Sequence, residues 1–252
     1  MARYIHVPQI DIDFLKPRRF SFDTPGGGLE GGRNGLGESI TIGLSGGPIV
    51  TAAYQECHVQ APEEHEYLNW LAARMNGGFR FVVVPLLTDW AGPFPFLNRT
   101  TPQPIVKGIP HGDGALFADI AGYSQGTVFG TFAAPAALNA GEITINVFGN
   151  SRNLRHSDWF SIYHSVKGWR ATRYYEASDP VEVTAVVDGV SYTGQQYTLA
   201  IEVPLRQAVE AGTRIEFARP RCVMKFPAGF TVPWEAEGFW LSRPTFRFTE
   251  AF

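Results

Sequence analysis

Short apolar runs and turn residues alternate along most of the chain, and one longer helical pattern interrupts them. Between residues 62 and 76, apolar side chains recur at the spacing of one helix face, and most other positions are polar. The apolar positions are Tyr67, Leu68, Leu71 and Met75. Pro62 is typical of a helix start, and the glycine pair at 77–78 is typical of a helix end. The pattern predicts one amphipathic helix over residues 62–76 that packs against a sheet.

The segments on both sides of this helix predict strands, because residues 49–60 and 79–86 are rich in β-branched and aromatic side chains. Similar runs continue to the end of the chain, separated by Gly and Pro. They cover residues 18–22, 38–44, 115–122, 126–132, 143–148, 158–164, 169–176, 181–188, 197–203, 214–217, 221–226 and 239–248. Residues 206–211 predict only a short helical turn. The predicted fold class is mainly β, with β-sandwich-like modules and one packed α-helix.

Prolines suggest how the chain divides. Five of them lie between residues 88 and 114, too many positions without an amide for a central strand. We therefore predict an N-terminal sheet module over residues 1–98, a proline-rich connection over 99–114, and a C-terminal β-rich module over 115–252. Whether the last strand, 239–252, returns to the N-terminal module is left open.

Residues 26–37 are dominated by glycine, which predicts a mobile surface loop because glycine loses the most conformational freedom on ordering. A phosphate-binding loop is not favoured. Such loops end in Gly-Lys-Ser/Thr and lead into a helix, and neither feature follows here.

Composition and charge narrow the function classes. The chain has 252 residues, a formal net charge of −3 and no block of Lys or Arg, so we expect no nucleic-acid partner. No apolar run approaches the roughly 20 residues of a membrane-spanning helix, and no signal-peptide pattern opens the chain. We expect no membrane insertion, and synthesis in a cytoplasm. Two cysteines, Cys57 and Cys222, do not make a disulfide framework.

Several groups of His, Cys, Asp and Glu resemble catalytic or metal-binding sets, but each has a simpler explanation. Neighbouring strand residues point to opposite faces, which separates Cys57 from His58. This pair, with His65 nearby, is therefore given structural roles. Glu63, Glu64 and Glu66 are explained by a helix start, which favours acidic residues. His6, Asp11 and Asp13 lie in a flexible arm without a third fixed ligand, which favours solvated charge over a metal site. His111 with Asp113 and His156 with Asp158 lie in a loop or at a strand entry, where Asp and His commonly satisfy turns. We predict no catalytic, cofactor or metal site.

The order of motifs in the second half is more informative than any one of them. Residues 157–162 read Ser-Asp-Trp-Phe-Ser-Ile, residues 204–206 read Pro-Leu-Arg, and residues 220–225 read Pro-Arg-Cys-Val-Met-Lys. A closing run of aromatic and acidic residues follows at 245–252. This order resembles that of phage distal tail proteins, and so does the order strand, helix, Asn-Gly-Gly-Phe and apolar strand in the first half. Ser157 departs from the glycine usual at that position.

The resemblance implies a structural protein of the virion tail tip. In that family several copies, typically six, form a ring that joins the tail tube protein to the hub or receptor-binding parts, without enzymatic activity. A closed ring needs a heterologous interface, in which one face of each subunit contacts a different face of the next. Candidate intersubunit contacts come from the N-terminal arm, the glycine-rich segment and the proline-rich connection. They are Arg18, Arg19, Phe20, Leu29, Arg33, Leu36, Phe94 and Phe96.

Two other functions remain open. Aromatic side chains on exposed strands stack on sugars, so a carbohydrate-binding β-sandwich is the alternative, with Trp169, Tyr174 and Tyr175 as candidate stacking residues. A tail-associated peptidoglycan hydrolase is the third and least favoured.

Overall fold

A computed structural model describes residues 7–26, 28–43, 47–75, 78–88, 92–97, 100–110, 122–232 and 241–251. Strands make up 46% of it and helices 9%, which confirms the mainly β fold class. The described helices are α1 (Ile12–Leu15) and α2 (Pro62–Met75). The described strands are β1 (Pro17–Asp23), β2 (Gly28–Arg33), β3 (Ser39–Gly43), β4 (Thr51–Cys57), β5 (Val82–Pro85), β6 (Ile105–Ile109), β7 (Tyr123–Gly126), β8 (Phe129–Phe132), β9 (Glu142–Phe148), β10 (Phe160–His164), β11 (Gly168–Thr172), β12 (Tyr174–Ala177), β13 (Val181–Val187), β14 (Val190–Ile201), β15 (Arg214–Glu216), β16 (Arg221–Lys225) and β17 (Phe246–Glu250).

The chain divides into two compact units that are not consecutive in sequence. Unit 1 comprises Met1–Pro85, Val166–Gly168 and Cys222–Phe252, and unit 2 comprises Leu86–Ser165 and Trp169–Arg221. The first change of unit therefore falls after Pro85, earlier than the segment 99–114 where the sequence places a connection. The chain returns to unit 1 at Cys222, because its last strands complete the sheet of that unit.

Unit 1 contains a five-stranded sheet in the order β1-β4-β17-β16-β5. Strand β17 pairs antiparallel with β4, with Phe246 opposite Tyr54. Phe246 and Phe248 are buried on one face of β17 and pack against each other at 6.2 Å between ring centroids. The C-terminal strand is thus an inner strand of the N-terminal sheet.

Helix α2 (Pro62–Met75) confirms the helix predicted over residues 62–76, of which Asn76 lies outside the described residues. Leu68, Leu71 and Met75 are buried, as the helical pattern predicts. Tyr67 is half-buried: its ring stacks on Phe14 at 5.2 Å and its hydroxyl accepts the backbone N–H of Asp11 at 2.8 Å. Burying the three aliphatic side chains contributes roughly 4–9 kcal/mol as an upper bound, so α2 is held mainly by its apolar face.

Glu64 fixes the start of α2. Its carboxylate accepts the backbone N–H groups of Gln60 at 2.7 Å and Ala61 at 3.0 Å, and it pairs with the Lys16 ammonium. Burial alone would raise the pKa of Glu64, but the hydrogen bonds from Gln60, Lys16 and Ala61 outweigh it and lower the pKa to about 2. The side chain therefore reaches back from the first turn and satisfies the amides of the two residues that precede α2, as in a capping box.

Unit 2 contains an eight-stranded antiparallel sheet in the order β11-β10-β15-β8-β9-β14-β12, with β13 paired to β14 alongside this path. Its core is aliphatic and aromatic and includes Ile145, Phe160, Leu199 and Phe217. Most of these residues lie in segments that the sequence predicts as strands, which is why local patterning identifies the module.

The prolines of residues 88–114 predict a connection without a central strand. Strand β6 lies within this segment and pairs only with β7, in a two-stranded sheet, so it is not a central strand. One local prediction in unit 2 is wrong. Residues 206–211 form no helical turn; Val209 instead makes an isolated β-bridge with Ala136, because both its backbone groups bond to that residue at 2.8 Å. The predicted strand at 115–122 lies almost wholly outside the described residues.

Candidate functional site

Cys57 is a structural residue of β4. It is fully buried, and burial raises the pKa of its thiol to about 12, so the thiolate that nucleophilic catalysis needs is scarce at neutral pH. The neighbouring His58 bonds to the Gln60 side chain at 3.3 Å instead. These geometries remove the Cys57–His58 pair from the catalytic candidates.

Three of the carboxylates singled out in the sequence have structural partners as well. Asp11 caps α1 by accepting the Asp13 N–H at 2.9 Å, and Glu64 caps α2. Asp158 is buried and accepts two hydrogen bonds from the Arg152 guanidinium, at 2.7 and 2.8 Å. In the part of the chain that the structure describes, no three His, Cys, Asp or Glu residues are grouped as metal ligands. His6, His111 and Asp113 lie outside that part.

Strand β1 carries three of the predicted contact residues on the edge of the sheet of unit 1. Arg18, Arg19 and Phe20 are all exposed, and both guanidinium groups approach Glu56, at 3.8 and 3.5 Å. Such exposed ion pairs contribute little to stability. Charged side chains on an edge strand also discourage unwanted strand pairing, so β1 fits either an interface or a protected edge.

The glycine-rich segment forms two paired strands where its glycine content predicts a loop. Residues 28–43 form a hairpin of β2 and β3, hereafter the glycine-rich hairpin, with Glu30 opposite Thr41 and a register shift before Arg33. Asn34 holds its turn: the side-chain oxygen accepts the N–H groups of Leu36 and Glu38, both at 2.9 Å, and the amide donates to the Glu38 carboxylate at 2.7 Å. The prediction of a loop rested on the glycine content. It missed Asn34-Gly35, a dipeptide typical of hairpin turns, and the β-branched residues that follow it.

This hairpin displays apolar side chains to solvent. Leu36, in the turn, is 85% exposed, and Ile40 and Ile42 on β3 are also exposed. Arg33 is exposed at the end of β2, whereas the side chain of Leu29 lies outside the described residues. Within the described segments, β2 and β3 pair only with each other. A two-stranded sheet is at best marginally stable by itself, so the hairpin has apolar surface available for a partner.

A second apolar feature of unit 1 lies beside α2. Ala72, Ala73, Phe226, Phe230, Thr231 and Val232 line a pocket of about 300 Å³, hereafter the helix pocket. Phe226 and Phe230 pack edge to face at 5.0 Å between ring centroids and so form a rigid aromatic wall. The sequence prediction missed this pocket, since its two sides come from parts of the chain about 150 residues apart.

The two aromatic residues predicted in the proline-rich connection have different environments. Phe94 is only 2% exposed and belongs to the core of unit 2, so its side chain has no surface to offer a neighbouring subunit. Phe96 is 54% exposed, so its side chain can contact a neighbouring subunit. The local sequence does not distinguish the two rings, because both lie in the same alternation of proline and phenylalanine. Only tertiary packing decides which ring is buried.

The predicted glycan-stacking residues do not form one surface. Tyr174 is buried, and burial raises its pKa to about 12, whereas Tyr175 is 64% exposed. Trp169 is half-buried and lines an open depression of about 330 Å³ together with Gln125, Phe129, Arg214 and Glu216. Trp169 alone therefore combines an aromatic ring with polar groups suited to hydroxyls.

A larger polar depression in unit 2 was not anticipated from the sequence. It has a volume of about 620 Å³ and is lined mainly by amide, hydroxyl and charged side chains, among them Asn150, Glu182, Thr193 and Gln195. Asn150 and Gln195 bond to each other at 2.8 Å, so part of its polar lining is already satisfied.

No helix among the described residues is long and apolar enough to cross a membrane. The chain matches no model of a known protein family and no curated protein.

Proposed function

We propose that this protein is a structural subunit of a phage or phage-like tail tip, where several copies form a ring between the tail tube and the hub or receptor-binding parts. The observation that carries the proposal is the glycine-rich hairpin. Its turn is ordered by Asn34, and it presents Leu36, Ile40 and Ile42 to solvent. Ordered apolar surface of this kind is typical of a protein–protein interface.

Ring assembly is supported by a second feature of the same unit. The helix pocket is apolar and differs in shape and composition from the hairpin. A subunit that carries two unlike apolar surfaces can use one to contact the other surface of the next subunit. Such heterologous contacts form a ring when the rotation from one subunit to the next closes. The assignment to a tail tip, and the expected six copies, rest on the resemblance of the motif order to distal tail proteins.

Negative-stain images and light scattering of the purified protein test this proposal. We expect ring-shaped particles whose mass is a fixed multiple of 27.8 kDa, six in the hexameric case. A protein that stays monomeric at concentrations of tens of micromolar and higher, where contacts of about 6–7 kcal/mol or more would form, contradicts it.

A second candidate function, glycan binding, is favoured by the depression around Trp169. An aromatic ring beside Gln125, Arg214 and Glu216 supplies both stacking and hydrogen bonds to a sugar. If unit 2 binds a cell-surface glycan, Trp169→Ala should abolish binding on a glycan array, whereas Tyr175→Ala, an exposed control, should retain it. The absence of any array signal for the wild-type protein would count against this function and leave the ring proposal untouched.

A further inference from the structure

The glycine-rich hairpin and the helix pocket belong to the same unit but do not occupy each other within one chain. Leu36 is 85% exposed, so it is not inserted in any pocket of its own subunit. The pocket, in turn, is open in the described structure, with an apolar lining that includes both alanines and both phenylalanines. Each feature therefore has apolar surface that a second molecule can cover.

We infer that Leu36 of one copy docks into the helix pocket of the next copy, and that this contact closes the ring. The inference rests on the proposed function, since it assigns the interface by which the proposed ring assembles. The occupant is a second copy of this chain.

Shape supports this pairing. Asn34 fixes the turn with three hydrogen bonds from its side chain, so Leu36 is presented at a defined place and loses little conformational freedom on docking. The pocket, at about 300 Å³, has room for one branched aliphatic side chain and part of the turn beside it. The small side chains of Ala72 and Ala73 leave that room on the helix side.

The surroundings of the two surfaces are also compatible. Hairpin residues Glu30 and Glu38 outnumber Arg33, and all three are exposed. Two basic residues adjoin lining residues of the pocket in sequence, since Arg74 follows Ala73 and Lys225 precedes Phe226. An apolar contact flanked by opposite charges matches the usual composition of a protein interface.

Burial of the native cysteines permits a direct test by disulfide trapping. Cys57 and Cys222 are both fully buried, so cysteines introduced at Leu36 and Ala73 are the reactive pair. Leu36 is almost fully exposed and Ala73 is exposed, so neither substitution should lower the thermal midpoint by more than a degree or two. A disulfide forms only when the two Cα atoms come within about 7 Å.

We expect oxidised Leu36→Cys/Ala73→Cys protein to form a covalent ladder on a denaturing gel that ends at the copy number of the ring. An equal mixture of the two single variants should give mixed disulfides, and each single variant alone should give none. The matched control replaces Leu36→Cys with Leu138→Cys, a similarly exposed leucine of unit 2, and should give no ladder.

The possible failures are distinguishable. Rings of the expected mass without a Leu36→Cys/Ala73→Cys disulfide, or with efficient crosslinking of Leu36→Cys to itself, would overturn the interface and leave the ring proposal standing. A wild-type protein that is monomeric in parallel light scattering would overturn both.

Discussion

Helix α2 and the glycine-rich hairpin are neighbours in sequence, and both have an apolar face, but they use that face in opposite ways. The helix buries Leu68, Leu71 and Met75 within its own chain. The hairpin leaves Leu36 and two isoleucines of β3 in solvent. The apolar face of the helix therefore contributes to folding, whereas the apolar surface of the hairpin contributes to the contacts proposed for assembly. Substitutions in the two segments should therefore have separable effects on folding and on oligomer mass.

The largest effect on folding should come from Leu71→Ala. Leu71 is fully buried in α2, so truncation leaves a cavity and should reduce the free energy of unfolding by about 2–5 kcal/mol. Denaturant unfolding measures this change. The matched control is Leu36→Ala, an equal truncation in the hairpin, which should change the free energy of unfolding by less than about 0.5 kcal/mol at a protein concentration too low for assembly. Similar losses of unfolding free energy in both variants would contradict the separation of a folding segment from an assembly segment.

A smaller effect should follow from Glu64→Gln at the start of α2. The folded-state pKa of Glu64 is lowered to about 2 from an ordinary value of 4.5, so the ionised group stabilises the fold above pH 4.5. That contribution is lost as the pH falls through the folded pKa. Wild-type protein should therefore lose stability between pH 4.5 and 2 more steeply than Glu64→Gln, which should be less stable than wild type at pH 7 by about 1–2 kcal/mol.

Urea unfolding at pH 7 and at pH 3 tests this dependence. Glu63→Gln is the control, because Glu63 is exposed in the same helical turn. If both glutamine variants keep the wild-type dependence on pH, Glu64 does not stabilise the helix start as its hydrogen bonds indicate.

A still smaller effect on folding should come from Asn34→Ala. The substitution removes the three side-chain hydrogen bonds of the hairpin turn, so hydrogen exchange at Leu36 and Glu38 should become faster. The free energy of unfolding should fall by less than about 1 kcal/mol, because the turn is exposed. Ring formation should nevertheless weaken, since Leu36 is then no longer held in place. Unchanged exchange rates would show that the turn does not depend on Asn34.

The same pair of segments shows what sequence patterns can and cannot predict. The helix was predictable within one residue of its end, because its period, its proline start and its glycine end all agree. The hairpin was misread because glycine content was weighed above the Asn34-Gly35 turn and the β-branched residues that follow it. Local patterns identified most strands of both units, whereas β6 lies in a segment where prolines predict a connection.

Local sequence patterns do not determine which distant segments of the chain contact each other. That β17 lies between β4 and β16 depends on pairing between residues about 200 positions apart, and no periodicity encodes such pairing. The burial of Phe94 and the exposure of Phe96 depend on the core of unit 2 in the same way. The helix pocket could not be anticipated either, because α2 and the residues after β16 meet only in the folded chain.

The most direct test compares the oligomer mass of wild-type protein with that of Leu36→Asp, measured by light scattering at the same concentration. A carboxylate at this exposed position should leave the unfolding midpoint unchanged at a concentration too low for assembly. It cannot, however, be desolvated in an apolar pocket without a large cost. We expect a ring of fixed mass for wild type and a monomer for Leu36→Asp. The same oligomer mass for both proteins, or a monomeric wild type, would contradict the assignment of this hairpin to assembly.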